Sequence, residues 1–167
     1  MTKLVVLDLD STLIYSTKEK LREPDFMVDG YNVYKRPGLD TFLEFCFANF
    51  QVGVWSSAAE SYVDEIVKNI FKDPKKLLFK WTKNECTSPA EVYHIDVTDD
   101  SPLSKKVVKD LEKLARTLNF SMGEIVAVDD APRLHYKNDS RVVCALKWEG
   151  SLDDRVLYNI MTRLPNI

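Results

Sequence analysis

The sequence predicts an α/β fold, a parallel β-sheet with helices on both faces, and three observations carry that prediction. Apolar strand-like runs alternate along the chain with segments of helical period, as in sheets whose crossovers are helices. The first run, Leu4 to Leu9, is continuous apart from Asp8, which suits a central strand covered on both faces. Polar residues follow three of the strands: Asp8 and Asp10, Ser56 and Ser57, and Asp129 and Asp130. Sheets of this kind carry their sites beyond the carboxyl ends of the strands.

The other elements follow in order. Residues 26–34 read as a small hairpin turning at Asp29-Gly30 and lying above the sheet. Pro37 opens a helix whose apolar positions Leu39, Phe42, Leu43, Cys46 and Phe50 recur every three or four residues. Gln51 to Trp55 is a second strand. Residues 58–71 form a second helix, with Tyr62, Ile66, Ile70 and Phe71 in register and Ser57 as its candidate N-cap. Pro74 stops continuation, and Leu77 to Trp81 holds a short third strand. Residues 82–104 carry one candidate strand, Val92 to Ile95. A helix is expected within Val107 to Leu118, with strands at Ile125–Val128 and Val142–Leu146. Ser151 and Asp154 resemble a capping box opening a last helix toward Leu164, which Pro165 ends. With no repeat and no linker, residues 1–167 are expected to form a single domain.

Composition excludes several classes. A chain of 167 residues, 45% hydrophobic and 29% charged, buries a core and is not a disordered segment. Its net charge of -3 predicts neither a nucleic-acid groove nor a membrane-seeking surface. Cys46, Cys86 and Cys144 are far apart and form no CxxC pair, so neither a disulfide framework nor a thiolate metal site is expected. The first residues lack a signal-peptide pattern and no apolar run reaches spanning length. The expectation is a soluble intracellular protein, cytoplasmic or nuclear. His94 and His135 lack metal-ligand spacing, and Trp55, Trp81 and Trp148 read as core or support.

Two carboxylates at the end of an apolar strand are costly to bury without a partner. A divalent cation supplies one, and Mg²⁺ prefers oxygen ligands. Either acidic pair alone is equally a strand-end turn capping backbone N–H groups; two pairs on one rim argue for a site. An aspartate can attack phosphorus to form an aspartyl-phosphate while a second protonates the leaving oxygen and then activates water. Ser56 is placed to hold a phosphoryl oxygen. A lysine should complete the set, and the residues alone do not choose among Lys105, Lys106 and Lys109.

Asp8-Leu9-Asp10-Ser11-Thr12-Leu13 resembles the DxDxT signature of haloacid-dehalogenase-type phosphotransferases. Four further stretches follow in order: Lys35-Arg36-Pro37-Gly38-Leu39 with Phe42-Leu43, Val54-Trp55-Ser56-Ser57-Ala58 with Tyr62, Val108-Lys109-Asp110-Leu111, and Val128-Asp129-Asp130-Ala131-Pro132. Together they resemble the small C-terminal-domain phosphatase, or NLI-interacting-factor-like, branch of that superfamily. The resemblance implies a three-layer Rossmann-like parallel sheet with a small β-hairpin insertion and no large cap. It implies Mg²⁺-dependent phosphomonoester hydrolysis, mostly on Ser or Thr of phosphoproteins, the RNA polymerase II tail among them. Asp8 is then nucleophile and metal ligand, and Asp10 acid/base and ligand through its backbone carbonyl. Thr12 supports the loop, Ser56 and Lys109 bind phosphate, and Asp129 and Asp130 hold Mg²⁺. Phe26, Val28, Tyr31 and Tyr34 line the substrate rim. The expected partner is a phosphoprotein or phosphopeptide, with no membrane or nucleic acid, and the chain is expected to be a monomer. A small-molecule or nucleic-acid-end phosphatase, and a non-catalytic binding module, are the rival readings. The acidic stretch 85–102, with Asp96, Asp99 and Asp100, reads as a solvated loop.

Overall fold

The computed structural model describes residues 3–93, 107–135 and 139–166. Five short strands make the parallel sheet: β1 (Leu4–Leu7), β5 (Gln51–Trp55), β6 (Phe79–Trp81), β7 (Ile125–Asp129) and β8 (Val142–Cys144). Their order is β6-β5-β1-β7-β8, so β1 is central. All four of its residues are buried, which is why its apolar run is continuous.

Side chains alternate faces along a strand, and the core divides accordingly. Val5 and Leu7 pack with α1 (Leu39–Asn49), α2 (Glu60–Ile70) and α5 (Val156–Arg163). Leu4 and Val6 pack with α4 (Leu111–Leu118), beside Ile125 and Ala127 of β7. Carried one step further, the same alternation sends Asp8 and Asp129 toward the α4 face. Leu7 pairs with Val128 in the β1–β7 register, and the Asp8 N–H bonds the Val128 carbonyl at 3.0 Å. The two carboxylates are therefore delivered side by side.

The expected hairpin is present as β3 (Phe26–Val28) and β4 (Tyr31–Lys35), with Asp29 at φ 50° and Gly30 at φ 78° in its turn. It is wider than the sequence reading allowed. A third strand, β2 (Ile14–Thr17), pairs antiparallel with β4 and completes a separate sheet, β2-β4-β3.

Several boundaries differ from expectation for local reasons. Helix α1 starts at Leu39, because Gly38 adopts a left-handed φ of 82° that interrupts the turn begun at Pro37. Helix α2 starts at Glu60 with Ala59 at its N-cap position and no side-chain cap, so Ser57 does not cap it. A short helix, α3 (Pro89–Tyr93), occupies the start of the candidate strand at Val92, whose last two residues lie outside the described residues. Helix α4 begins only at Leu111, because the Asp110 side chain accepts the N–H groups of Glu112 and Lys113. Strand β8 stops at Cys144; the next N–H, of Ala145, turns to the Asp129 carbonyl, and Leu146 takes a positive φ of 45°. Ser151 does not open α5, whose first N–H, of Val156, is accepted by Asp154. Pro165 sits within a 3₁₀ turn (Leu164–Asn166) that continues the helix.

Asp154 has a larger role. Its carboxylate takes two bonds of 2.8 Å from the Nε and Nη2 of Arg36, which is buried to 1% exposure. The same guanidinium donates to the Thr12 carbonyl at 3.0 Å and the Leu146 carbonyl at 2.9 Å. One side chain thus joins the loop after β1, the turn after β8 and the start of α5, which fixes the loop carrying Asp10 and Thr12. Burial alone would raise the Asp154 carboxyl, but the Arg36 guanidinium holds it below the usual carboxylate range. Asp154→Ala should cost about 3 kcal/mol in urea denaturation, because it leaves a buried guanidinium without its counter-charge. The folded pKa of Asp154 lies below the unfolded one. Its contribution is therefore present above about pH 4 and lost as pH falls through the lower folded value.

Candidate active site

Three strand ends meet above β1. Asp8 follows β1, Ser56 follows β5, and Asp129 ends β7 with Asp130 next. Lys109 arrives from the opposite direction. Val108 before it pairs with Thr87, Asp110 after it caps α4, and its own N–H bonds the Leu134 carbonyl at 2.7 Å. Held on both sides, Lys109 is buried to 1% exposure, with Nζ 2.7 Å from Asp8 Oδ1 and 2.6 Å from Asp129 Oδ2. Burial would lower the ammonium pKa, but the two carboxylates outweigh it and raise it.

Thr12 and Asp130 complete the floor. The Thr12 hydroxyl, which has one proton, donates to Asp8 Oδ2 at 2.9 Å and accepts the Asp130 N–H at 3.0 Å. Asp10 points elsewhere: the Tyr62 hydroxyl donates to its Oδ1 at 2.6 Å, and Ser16 lies 2.5 Å from that hydroxyl. Because the Tyr62 proton is committed to Asp10, Ser16 is the donor to Tyr62. Ser56 is buried, and its Oγ accepts the Ala58 N–H at 3.1 Å.

Negative charge exceeds positive charge here. Burial and the Asp129 charge push Asp8 up to about 7, against the pull of Lys109. Burial also raises Asp10, opposed by the Tyr62 hydrogen bond, and raises Asp130 together with Asp129. Asp129 moves the other way, to about 2, because Lys109 and His135 outweigh its burial. Oxygen atoms from Asp8, Asp129 and Asp130 lie within 4.8 Å of one another. Three carboxylates against one ammonium, all hard oxygen donors, form a set that fits a small divalent cation.

Residues 3–167 match the family described as NLI interacting factor-like phosphatase. The chain belongs to that family. Its relatives include the CTD phosphatase-like protein 355R of Invertebrate iridescent virus 3, 33% identical over 68% of this chain and 77% of that protein. The phosphatase PSR1 of Saccharomyces cerevisiae is 25% identical over 99% of this chain. The import translocase subunit TIM50 of Caenorhabditis elegans is 27% identical over 93% of it. The chain spans only 36% of PSR1 and 31% of that TIM50. Among solved structures, Fcp1, an essential RNA polymerase II CTD phosphatase, superposes with a TM-score of 0.59 at 17% identity, over 99% of this chain and 48% of that one. The NIF family thus has here the Rossmann-like fold of the haloacid dehalogenase type, with its added antiparallel sheet.

The geometry brings Asp8, Thr12, Lys109, Asp129 and Asp130 into direct contact and leaves Asp10 linked to Tyr62. Of the three candidate lysines, Lys109 is the one inside the cluster; Lys105 and Lys106 lie outside the described residues, as do His94 and the acids Asp96, Asp99 and Asp100. Two rim residues are corrected. Tyr34 is fully buried with its hydroxyl bonded to the Arg22 carbonyl, and Val28 is buried as well, so both belong to the core. Phe26 is half-buried and Tyr31 is exposed. Sequence reasoning missed His135, which is buried with Nε2 2.8 Å from Asp129 Oδ2, and the Tyr62 contact to Asp10. The helical register of Tyr62 was legible; that its hydroxyl would reach Asp10 was not.

Lys109→Met keeps the aliphatic stem and removes the charge, leaving Asp8 and Asp129 face to face. In metal-free buffer at neutral pH we expect a loss of about 3 kcal/mol by urea denaturation. A variant as stable as the wild type would mean that the ammonium does not hold the cluster.

Proposed function

We propose that this NIF-family domain is a Mg²⁺-dependent phosphatase acting on phosphoserine or phosphothreonine in proteins, with Asp8 as nucleophile. The observation that carries the reading is the Asp8–Lys109–Asp129 contact, with a second, separately held aspartate two residues from Asp8. Asp8, Asp129, Asp130 and the backbone carbonyl of Asp10 would hold the metal, which when bound supplies positive charge against the phosphoryl oxygens. Lys109 adds charge from the protein side, and the Ser56 hydroxyl binds a phosphoryl oxygen. Asp8 Oδ attacks phosphorus and the ester oxygen departs, taking a proton from Asp10. The Asp10 carboxylate then removes a proton from the water that hydrolyses the aspartyl-phosphate. An acid with this duty must hold a proton at the start, and burial raises Asp10 in that direction. Tyr62 orients the carboxyl.

The substrate class rests on relatives whose names describe phosphatases and on the exposed Tyr31 and half-buried Phe26, which we place at the rim where an extended peptide would lie. No helix among the described residues is long and apolar enough to cross a membrane. The TIM50 similarity supports a second reading, a phosphatase-like binding module. Retention of all the proposed catalytic side chains favours catalysis.

Phosphate release from phosphoserine and phosphothreonine peptides, a sugar phosphate, a nucleotide and an end-phosphorylated oligonucleotide, each with Mg²⁺ or EDTA, decides between them. We expect metal-dependent release from the peptides, reduced at least about 10³-fold in Asp8→Asn. Release confined to the small compounds or the oligonucleotide would replace the substrate class, and no release at all would favour the binding module.

A further inference from the structure

Asp129 is held by more contacts than its neighbours, and one comes from a residue the proposed chemistry does not use. Lys109 Nζ and His135 Nε2 both reach Oδ2, at 2.6 and 2.8 Å, while among the described residues Oδ1 accepts only the Ala131 N–H, at 2.8 Å. A carboxylate oxygen has two lone pairs and only accepts, so the proton lies on His135 Nε2. Oδ2 is then fully engaged. Oδ1 keeps a lone pair and is the oxygen free to meet a cation.

The imidazole is placed by backbone geometry. After β7 the chain enters a 3₁₀ turn (Pro132–Leu134), closed by Leu134 N–H to Ala131 and His135 N–H to Pro132, both at 2.9 Å. The Leu134 carbonyl also accepts the Lys109 N–H. Asp129, His135, Leu134 and Lys109 therefore form a ring closed by side-chain and backbone hydrogen bonds and by the Leu134–His135 peptide, in which the turn that aims His135 also anchors the lysine. His135 is 2% exposed, and its Nδ1 is buried with no hydrogen-bond partner among the described residues. Leaving that nitrogen unpaired costs stability. An apolar side chain would fill the same space without that cost, so what the ring contributes is its single bond to Asp129.

We propose that His135 is a positioning residue for the metal centre: it pins Asp129 Oδ2 and so presents Oδ1 to the divalent cation beside Asp8 and Asp130. The inference rests on the reading of this cluster as a metal site. Residues that hydrogen-bond a metal ligand fix its orientation, and their loss lowers metal affinity.

The test is Mg²⁺ binding by calorimetry to the wild-type chain, His135→Leu and His135→Gln, whose amide N–H can replace Nε2. We expect His135→Leu to weaken Mg²⁺ binding about 10–100-fold and His135→Gln to recover most of the loss. Equal affinity in His135→Leu and the wild type overturns the role, as does equal weakening in both variants with wild-type circular dichroism. A readout that needs no variant is the imidazole ¹⁵N spectrum of the wild type. His135 Nε2 should be the protonated nitrogen and should shift on Mg²⁺ addition; a proton on Nδ1, or no shift, overturns the proposal. Absence of Mg²⁺ binding by the wild type would remove the metal centre and this role with it, whereas binding that ignores His135 removes the role alone.

Discussion

One buried ammonium sets the terms for this site. Parallel pairing of β1 and β7 places Asp8 and Asp129 side by side on the α4 face, where their like charges repel in a medium poor in water. Lys109 lies between them within hydrogen-bond distance of both. Its presence makes that arrangement tenable in a folded chain, yet it offsets only part of the charge. Asp8 and Asp130 stay above the usual carboxylate range. A cluster built this way has room for more positive charge, which is the property the proposed chemistry needs from a metal and a phosphoryl group.

The ammonium would be of little use if the loop opposite it could move. That loop is fixed from below by Arg36, whose guanidinium bonds Asp154, Thr12 and Leu146 together. It is fixed from the side by Thr12, bonded to both Asp8 and the Asp130 N–H. The Asp10 side chain is held by Tyr62, apart from the clustered carboxylates of Asp8, Asp129 and Asp130. The result is two aspartates, two residues apart in sequence, in different surroundings. Separate environments are what allow two carboxyl groups to take different roles at one pH.

Much of this was legible because it depends on short-range rules. The continuous apolar run of β1, the Asp-Gly turn of the hairpin and the acids at strand ends each report a local constraint, and each led to the right element. Ile14–Thr17 was not assigned to any element, although Ile, Tyr and Thr favour a strand; four residues beside the acidic motif are too few to show a period. Lys109 was distinguishable only through the resemblance. Its physical mark is a strand-like Val108 before it and a helix-capping Asp110 after it, which leaves its side chain directed inward. His135 offered no spacing signal at all. It reaches Asp129 because a 3₁₀ turn folds the chain back on the strand it has just left, and that return depends on a carbonyl bond to Lys109 from far along the sequence. Tyr34 went wrong for the opposite reason: aromatic residues on a hairpin look like rim, and this one is buried against the body.

The central claim is that Asp8, steadied by Lys109 and Thr12, forms a bond to phosphorus. Rapid acid quenching of the wild-type chain during turnover with a phosphopeptide and Mg²⁺, followed by proteolysis and mass spectrometry, tests it directly. The account predicts a phosphoryl group on the fragment containing Asp8, sensitive to hydroxylamine as an acyl phosphate must be and absent when Mg²⁺ is withheld. Phosphoryl mass on Ser56 or His135 instead, or steady phosphate release with no labelled Asp8 fragment at any quench time, would contradict it.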